Sequence, residues 1–171
     1  MDFQEFLESL DYNEGKISQG GQRLLPMPQL FIGGLQRALE EVLGENAAYA
    51  VAMSTMSDGA KTSAQGFNQI LGDIPAEDKV RAFWSVTIQR GWGDAKITEL
   101  TIEPFLMKMQ VKNSYLKGVG KKMNSYYYYS AVSILEELVK AAGVEGVELE
   151  VEQTKWESAG DDFDEYVFKE A

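Results

Sequence analysis

The chain has 171 residues, of which 44% are hydrophobic and 25% are charged, so it can bury a core as one domain of ordinary size. It contains neither cysteine nor histidine, which excludes disulfides, thiolate nucleophiles, histidine general bases and the commonest ligands of zinc, iron–sulfur clusters and haem. The formal net charge of −11 argues against binding to nucleic acid and to anionic membrane surfaces.

The start of the chain is acidic. The stretch MDFQEFLESLDYNEG carries acids where a secretory signal would carry basic residues and an apolar run. No apolar run in the sequence approaches the roughly 18 residues of a membrane-spanning helix. We therefore expect a cytoplasmic protein without membrane insertion. We expect residues 1–20 to form an N-terminal arm, either in a dimer contact or loose, and residues 21–171 to form a single domain.

The first half of that domain is predicted to be helical. Pro28 starts a helix with one apolar stripe, made of Leu30, Phe31, Leu35, Leu39, Val42 and Leu43. Residues 46–74 are rich in Ala, Ser and Gly, which predicts two closely packed helices, or one helix bent near Asp58–Gly59. Pro75, followed by two acids, predicts the start of another helix.

After these helices the hydrophobic period changes from near 3.6 to 2, which is typical of strands. AKITELTIE and FLMKMQVKNS flank Pro104, and the second places Phe105, Met107, Met109 and Val111 on one side. A helix that begins with tyrosines follows, and then GVELEVEQTKW and FDEYVFKE form a hairpin with one acidic, solvated face. The order predicts an α+β fold in which helices pack on one face of an antiparallel sheet of about four to five strands.

Four consecutive tyrosines, Tyr126 to Tyr129, enter the last helix. At about 100° per residue their side chains spread over about 300°, so they cannot all line one cavity. The apolar stripe of the helix predicts that Tyr128 and Tyr129 face inward, with Tyr126 in the preceding turn. Tyr127 is expected to face outward or into a subunit contact. The inward tyrosines are either buried aromatics with satisfied hydroxyls or ligand contacts.

Four stretches, taken in order, resemble the 4-vinyl reductase domain family. They are LQRALEEVLGENAAYAVAMSTMSDGAKTSA, RGWGDAKITELTIE, MQVKNSYL and VELEVEQTKWESAGDDFDEYVF, and the resemblance runs from about residue 24 to 169. It implies the fold of the TRAPP vesicle-tethering subunits and, more distantly, of haem nitric-oxide sensors. It also implies a homodimer and a pocket, between helices and sheet, for hydrophobic or aromatic molecules or lipid chains. Vinyl reduction itself does not follow from domain similarity.

Many members of that family bind zinc near the end of the domain, and this chain departs from their pattern. The two cysteine positions correspond to Trp156 and Asp164, the acidic ligand corresponds to Gln153, and the cysteine before the tyrosine helix is missing. The resemblance therefore implies no zinc here, and we expect apolar packing around Trp156 in its place. No cofactor, metal ligand or catalytic residue is predicted.

A ligand pocket is predicted where the inward faces of the sheet and helices meet. Its proposed wall consists of Trp84, Thr87, Phe105, Met107, Met109, Val111, Tyr128 and Tyr129. Methionines adapt to varied ligands, although every one of these side chains could equally be core. Three functions stay open: a sensor or carrier domain for a small hydrophobic molecule, a non-catalytic scaffold subunit with a filled core, and an accessory protein of tetrapyrrole vinyl reduction. An enzyme is the less favoured interpretation.

Overall fold

The computed structural model describes residues 3–19 and 22–171. The helices are α1 Phe3–Glu8, α2 Gln29–Leu43, α3 Glu45–Leu71, α4 Ala76–Gln89 and α5 Tyr126–Lys140. The strands are β1 Leu10–Asn13, β2 Lys16–Gln19, β3 Gln22–Leu24, β4 Asp94–Ile102, β5 Phe105–Lys112, β6 Leu149–Lys155 and β7 Asp164–Glu170. The first three strands form a small antiparallel sheet, and the other four form a larger one in the order β4–β5–β7–β6. The predicted α+β fold is confirmed, with four strands in the main sheet.

The main sheet has one buried face and one solvated face, as the alternation along β5 predicts. Its odd-numbered residues, Phe105 to Val111, are at most 2% exposed and share a core with residues of α4, α5 and β7. The next residue in each case points to the other face, because successive strand side chains alternate. On that face Lys108 pairs with Glu99, with 2.7 Å between Nζ and Oε2, in an exposed contact that adds little stability.

Residues 45–71 form one continuous helix rather than two. Gly59 lies in its interior, where a glycine costs about 1 kcal/mol relative to alanine without ending a helix that tertiary contacts support. Ala48, Ala60 and Ala64 are buried, and these small side chains let α3 lie close to its neighbours. Neither α3 nor any other helix in the described ranges combines the length and the apolar character needed to cross a membrane.

Residues 3–19 form α1 and two strands of the small sheet. The predicted boundary between arm and domain, at residues 20 and 21, lies outside the described residues. Gln19 is buried, and its Oε1 accepts hydrogen bonds from Arg90 Nε and Nη2 at 3.3 and 3.0 Å. The small sheet is thereby joined to the end of α4. That this segment contacts a second subunit stays a prediction.

Helix α2 is amphipathic, but its apolar stripe is not buried. The residues of this helix that are buried are Gly33 and Gln36. Among the stripe residues, Leu30 and Val42 are 81% and 80% exposed, and Phe31, Leu35 and Leu43 are between 45% and 57% exposed. An amphipathic helix ordinarily directs its apolar side toward the core, so α2 is oriented opposite to that rule.

Candidate functional site

The predicted pocket residues come together in the core between α4, α5 and the main sheet. Seven of them are at most 2% exposed: Trp84, Thr87, Phe105, Met107, Met109, Val111 and Tyr128. Six of these seven belong to one hydrophobic cluster, which also contains Tyr166 and Phe168, and Thr87 lies on α4 with Trp84. Tyr129 is half-buried and packs against the same cluster. This region is therefore filled by the chain's own side chains.

Trp84 lies among aromatic rings in this core. Its ring is stacked on Tyr128, with the centroids 5.8 Å apart and the planes 20° apart, and contacts Phe83 and Phe168 at 4.8 and 5.9 Å. Its Nε1 is buried and finds no hydrogen-bond partner within the described part of the chain. A buried donor without an acceptor costs about 1–3 kcal/mol. The indole N–H is therefore free to donate to a molecule that enters the core.

Tyr127 packs within its own chain rather than facing outward, so the first of its two expected positions is wrong, and a subunit contact stays a prediction. Its ring is stacked on Trp92, with the centroids 3.9 Å apart and the planes 4° apart, and its hydroxyl donates to Thr87 Oγ1 at 3.2 Å. Burial raises the pKa of Tyr127 to about 12. The loop that follows α4 brings Trp92 over this side of α5, and a helical period alone cannot show such a tertiary contact. Thr87 thus serves as the hydrogen-bond acceptor of a core tyrosine.

Tyr128 is held where the backbone of another segment comes close. Its hydroxyl donates to the carbonyl oxygen of Trp92 at 3.2 Å, and burial raises its pKa well above 10.0. A Cβ at Gly93 would lie 2.6 Å from Val111 Cγ1 and 3.0 Å from the Tyr128 hydroxyl. Gly93, the glycine after Trp92, is thus required for this close approach.

Tyr129 lines a partly open cavity of about 320 Å³ between α3, α5 and β6. Its ring meets that of Tyr49 edge to face, with the centroids 5.8 Å apart, and its hydroxyl accepts a hydrogen bond from the backbone N of Gln153 at 3.3 Å. The cavity combines apolar and hydroxyl-bearing side chains: Tyr49, Met53, Ser57, Tyr129, Ser130, Val132, Ser133, Leu149, Glu150 and Val151. Sequence reasoning missed the α3 contribution, for which the signal is Tyr49 standing alone among small residues.

A second, smaller opening of about 200 Å³ lies between α2 and the loop that precedes α5. Its walls include Gly33, Arg37, Tyr115 and Lys117. No residue of the predicted pocket lies there. We assign it no role.

A buried hydrogen-bond network joins Gln153 and Asp164, two of the positions that the resemblance aligns with zinc ligands. Gln153 Nε2 donates to Asp164 Oδ1 at 3.1 Å, and the backbone N of Glu157 donates to the same oxygen at 2.7 Å. Gln153 Oε1 accepts from the backbone N of Ser125 at 3.1 Å. Burial raises the pKa of Asp164, an effect that hydrogen bonds from the Ser114 side chain and the Glu157 backbone partly oppose.

The expectation of apolar packing around Trp156 is therefore wrong. Trp156 is half-buried, its Nε1 donates to Asn124 Oδ1 at 3.0 Å, and Lys122 Nζ lies 3.6 Å from the centre of its ring. The surroundings of Trp156 are therefore polar on the side of Asn124 and Lys122. Zinc in proteins is held by Cys, His, Asp or Glu side chains. Of Gln153, Trp156 and Asp164 only Asp164 is of that kind, and its carboxylate already accepts hydrogen bonds, so these residues do not fit zinc. Within the described ranges, no three or more His, Cys, Asp or Glu side chains are grouped to hold a metal.

Comparisons with known proteins agree on the fold. No protein-family model matches the sequence, and no curated protein matches it. The phenol-responsive sensory domain of the transcription activator PoxR, solved with phenol, is similar with a TM-score of 0.77 and 13% identity, over 98% of this chain and 88% of that one. A trafficking protein particle complex subunit 3 from Naegleria fowleri, covalently bound to palmitic acid, is similar with a TM-score of 0.55 and 11% identity, over 84% of this chain and 95% of that one. The chain thus has the fold of these two proteins, as the resemblance implies.

Proposed function

We propose that this protein is a domain of the 4-vinyl reductase type that binds a small hydrophobic or aromatic molecule, as a sensor or carrier. The observation on which this rests is the buried Nε1 of Trp84, which has no hydrogen-bond partner among the described residues and lies in a core of methionines and aromatic rings. A ligand that brings one acceptor, such as a phenolic oxygen, would satisfy this donor. Burial of the rest of the ligand would contribute about 25 cal/mol for each Å² of apolar surface. The PoxR domain, which shares the fold, was solved with a ligand of that class.

Entry of a ligand beside Trp84 requires core side chains to move, because the surroundings are filled. Met107 and Met109 lie in the same cluster, and unbranched thioether chains change rotamer more readily than branched ones. The cavity at Tyr129 adjoins this core, and its volume of about 320 Å³ falls within the range of ligand pockets. We propose that the eight predicted residues form the wall of the occupied pocket, with Tyr129 where the core meets the cavity.

A pair of ligands matched in size tests the role of Trp84. Phenol is expected to raise the melting temperature more than toluene does, because only phenol brings an acceptor for the indole N–H. In Trp84→Phe the affinity for phenol is expected to fall about five- to tenfold, the value of one hydrogen bond, and the difference between the two ligands to vanish. Isothermal titration of both ligands against both proteins measures this.

Trp92→Phe is the control, because the Trp92 ring is stacked on Tyr127 outside the proposed pocket wall. This variant is expected to keep the preference for phenol. If the wild type binds the two ligands equally, the indole N–H has no role in binding. If Trp92→Phe loses the preference and Trp84→Phe keeps it, the pocket has been assigned to the wrong tryptophan.

A second function, that of a non-catalytic scaffold subunit, is favoured by the filled core. Seven of the eight predicted wall residues are at most 2% exposed, so the packing needs no ligand to complete it. Native mass spectrometry of the purified protein distinguishes the two functions. A stoichiometric small molecule supports the binding domain. An empty protein whose melting temperature does not respond to fatty acids, phenols or porphyrins supports the scaffold.

We also propose that the protein is a cytoplasmic homodimer without a nucleic-acid partner. The family resemblance supports the dimer, and the net charge of −11 argues against nucleic acid. The N-terminal segment, residues 1–20, is proposed to lie in or near the dimer contact.

A further inference from the structure

Helix α2 presents its apolar residues on the side opposite to its contact with the domain. On the inner side Gln36 is 4% exposed, and its Nε2 donates to the carbonyl oxygen of Asn124 at 2.7 Å. On the other side a row that we call the outer seam runs along the helix. At about 100° per residue, its members fall within about 60° of one another. They are Phe31, Leu35, Ala38 and Val42, and all four are exposed.

The spacing of the outer seam is that of helices that pack against each other. Steps of four, three and four residues reproduce the a and d positions of a heptad, which insert between side chains of a facing helix. Antiparallel pairing of two α2 helices about a twofold axis brings Leu35 against Ala38 of the second copy, and Phe31 against Val42. A large side chain then meets a smaller one at every step. Parallel pairing would set Phe31 against Phe31 and Ala38 against Ala38, which overfills one level and leaves a gap at another.

The charge of this face favours a second copy of an acidic chain. The chain has a net charge of −11, yet residues 24–44 contain only one arginine and two glutamates. Arg37 pairs with Glu41, with 3.7 Å between Nε and Oε1, and Glu40 lies 3.4 Å from Lys121 Nζ. Two copies can therefore meet here without bringing unpaired acids together, whereas like charges across a contact would cost several kcal/mol.

The exposed apolar surface of this segment extends beyond the seam. The three large seam side chains, Phe31, Leu35 and Val42, expose the equivalent of about two whole side chains. Leu30 and Leu43 are also exposed and lie about 110° to either side of the seam. A standard interface takes about 800 Å² from each partner and contains polar as well as apolar surface, so the seam would form its apolar centre and the adjoining surface of the domain the remainder.

We propose that two copies of the chain associate through the outer seam of α2 as an antiparallel, twofold-symmetric pair. This inference rests on the homodimer proposed above and does not depend on a ligand. In the pair Leu35 and Ala38 lie next to the symmetry axis. The same patch on both copies forms the contact, so the assembly closes at two chains.

Leu35→Glu tests the seam at its centre. The wild type is expected to sediment at micromolar concentration as a particle of twice 19.1 kDa. In Leu35→Glu self-association is expected to weaken at least about a hundredfold, because each new carboxylate would be buried against Ala38 of the other copy without a charged partner. The circular dichroism spectrum and the melting temperature of the separated chain should show that it stays folded. Sedimentation velocity across a concentration series measures the change.

Ile70→Glu is the matched control, because Ile70 is 64% exposed near the end of α3 and lies outside the seam. This variant is expected to remain dimeric. The double variant Leu35→Glu, Ala38→Lys tests the direction of pairing, since antiparallel helices place the new carboxylate opposite the new ammonium and restore the dimer. A monomeric wild type overturns the homodimer itself. A dimeric Leu35→Glu overturns the seam, and a double variant that stays monomeric overturns the antiparallel register.

Discussion

Asp164→Ala is expected to lower the free energy of unfolding by about 3 kcal/mol at neutral pH. The substitution removes the acceptor that Gln153 Nε2 and the backbone N of Glu157 share, at a side chain that is only 1% exposed. Hydrogen bonds to a charged group are worth about 1.5–3 kcal/mol each, and relaxation of the site recovers part of that sum. Urea unfolding followed by circular dichroism measures the loss.

Two further variants separate the buried network from a general effect of charge. Asp164→Asn keeps an acceptor oxygen and the shape of the side chain, so its cost is expected to be about 1 kcal/mol. Asp162→Ala removes a carboxylate that is exposed two residues away, and its effect should stay within about 0.5 kcal/mol. Equal losses for Asp164→Ala and Asp162→Ala would show that the hydrogen bonds to Asp164 do not stabilise the fold.

The raised pKa of Asp164 predicts how the stability of the fold changes with pH. Burial raises the pKa of Asp164 in the folded chain above the value of 3.8 that the unfolded chain retains. The folded state then binds the proton more tightly, so stability falls as the pH rises from 3.8 through the folded pKa. The stability of Asp164→Asn relative to the wild type is therefore expected to improve as the pH rises through that window. A relative stability that worsens over the same window would contradict the raised pKa.

Gly93→Ala is expected to lower the free energy of unfolding by about 3 kcal/mol or more. The new Cβ would lie 2.6 Å from Val111 Cγ1, closer than carbon atoms pack, and φ at this residue is +149°, where L side chains are strained. Val111 and Tyr128 are both fully buried, so neither can move away into solvent. Thermal and urea unfolding of the variant measure the cost.

Gly91→Ala supplies the comparison, because Gly91 also has a positive φ, of +82°, but has open space around its Cβ position. Its expected cost is about 1–2 kcal/mol, from the backbone conformation alone. The excess at Gly93 is expected to shrink when Val111→Ala removes the methyl group that the Cβ would meet. If Gly91→Ala and Gly93→Ala cost the same, the close approach between Gly93 and Val111 does not limit this position.

The elements that the sequence predicts well are those with strong local patterns. The alternation along β5 is reproduced residue by residue, because one face of that strand is buried and the other meets water. Tyr128 is buried, as the helical period predicts, whereas Tyr129, predicted to face inward with it, is half-buried. Tyr126, in the preceding turn, is buried as well. In contrast, the flank that Tyr127 occupies is covered by Trp92, a residue from another segment. No local pattern contains that contact.

Three features could not be predicted from local patterns, because each depends on contacts between distant parts of the chain. An amphipathic pattern shows that a helix has an apolar side, but not whether that side meets its own domain or another molecule, as α2 demonstrates. The hydrogen bond between Gln153 and Asp164 depends on two side chains from different strands meeting at hydrogen-bond distance. Likewise, the unpartnered Nε1 of Trp84 becomes visible only when the packing around it is known.

A chain of hydrogen bonds makes substitutions in distant elements energetically dependent on one another. It starts at α2, where Gln36 Oε1 accepts from the Tyr115 hydroxyl at 2.8 Å, and the Tyr115 hydroxyl in turn accepts from Ser125 Oγ at 3.2 Å. The backbone N of Ser125 continues it to Gln153, and Gln153 to Asp164 on β7. Each member forms a hydrogen bond with the next, so a substitution that removes one member leaves the neighbouring group without its partner. A second substitution at that neighbour then removes a bond that is already lost. Free energies of substitutions along this chain are therefore not additive, and only a double-mutant cycle can divide the stability among its members.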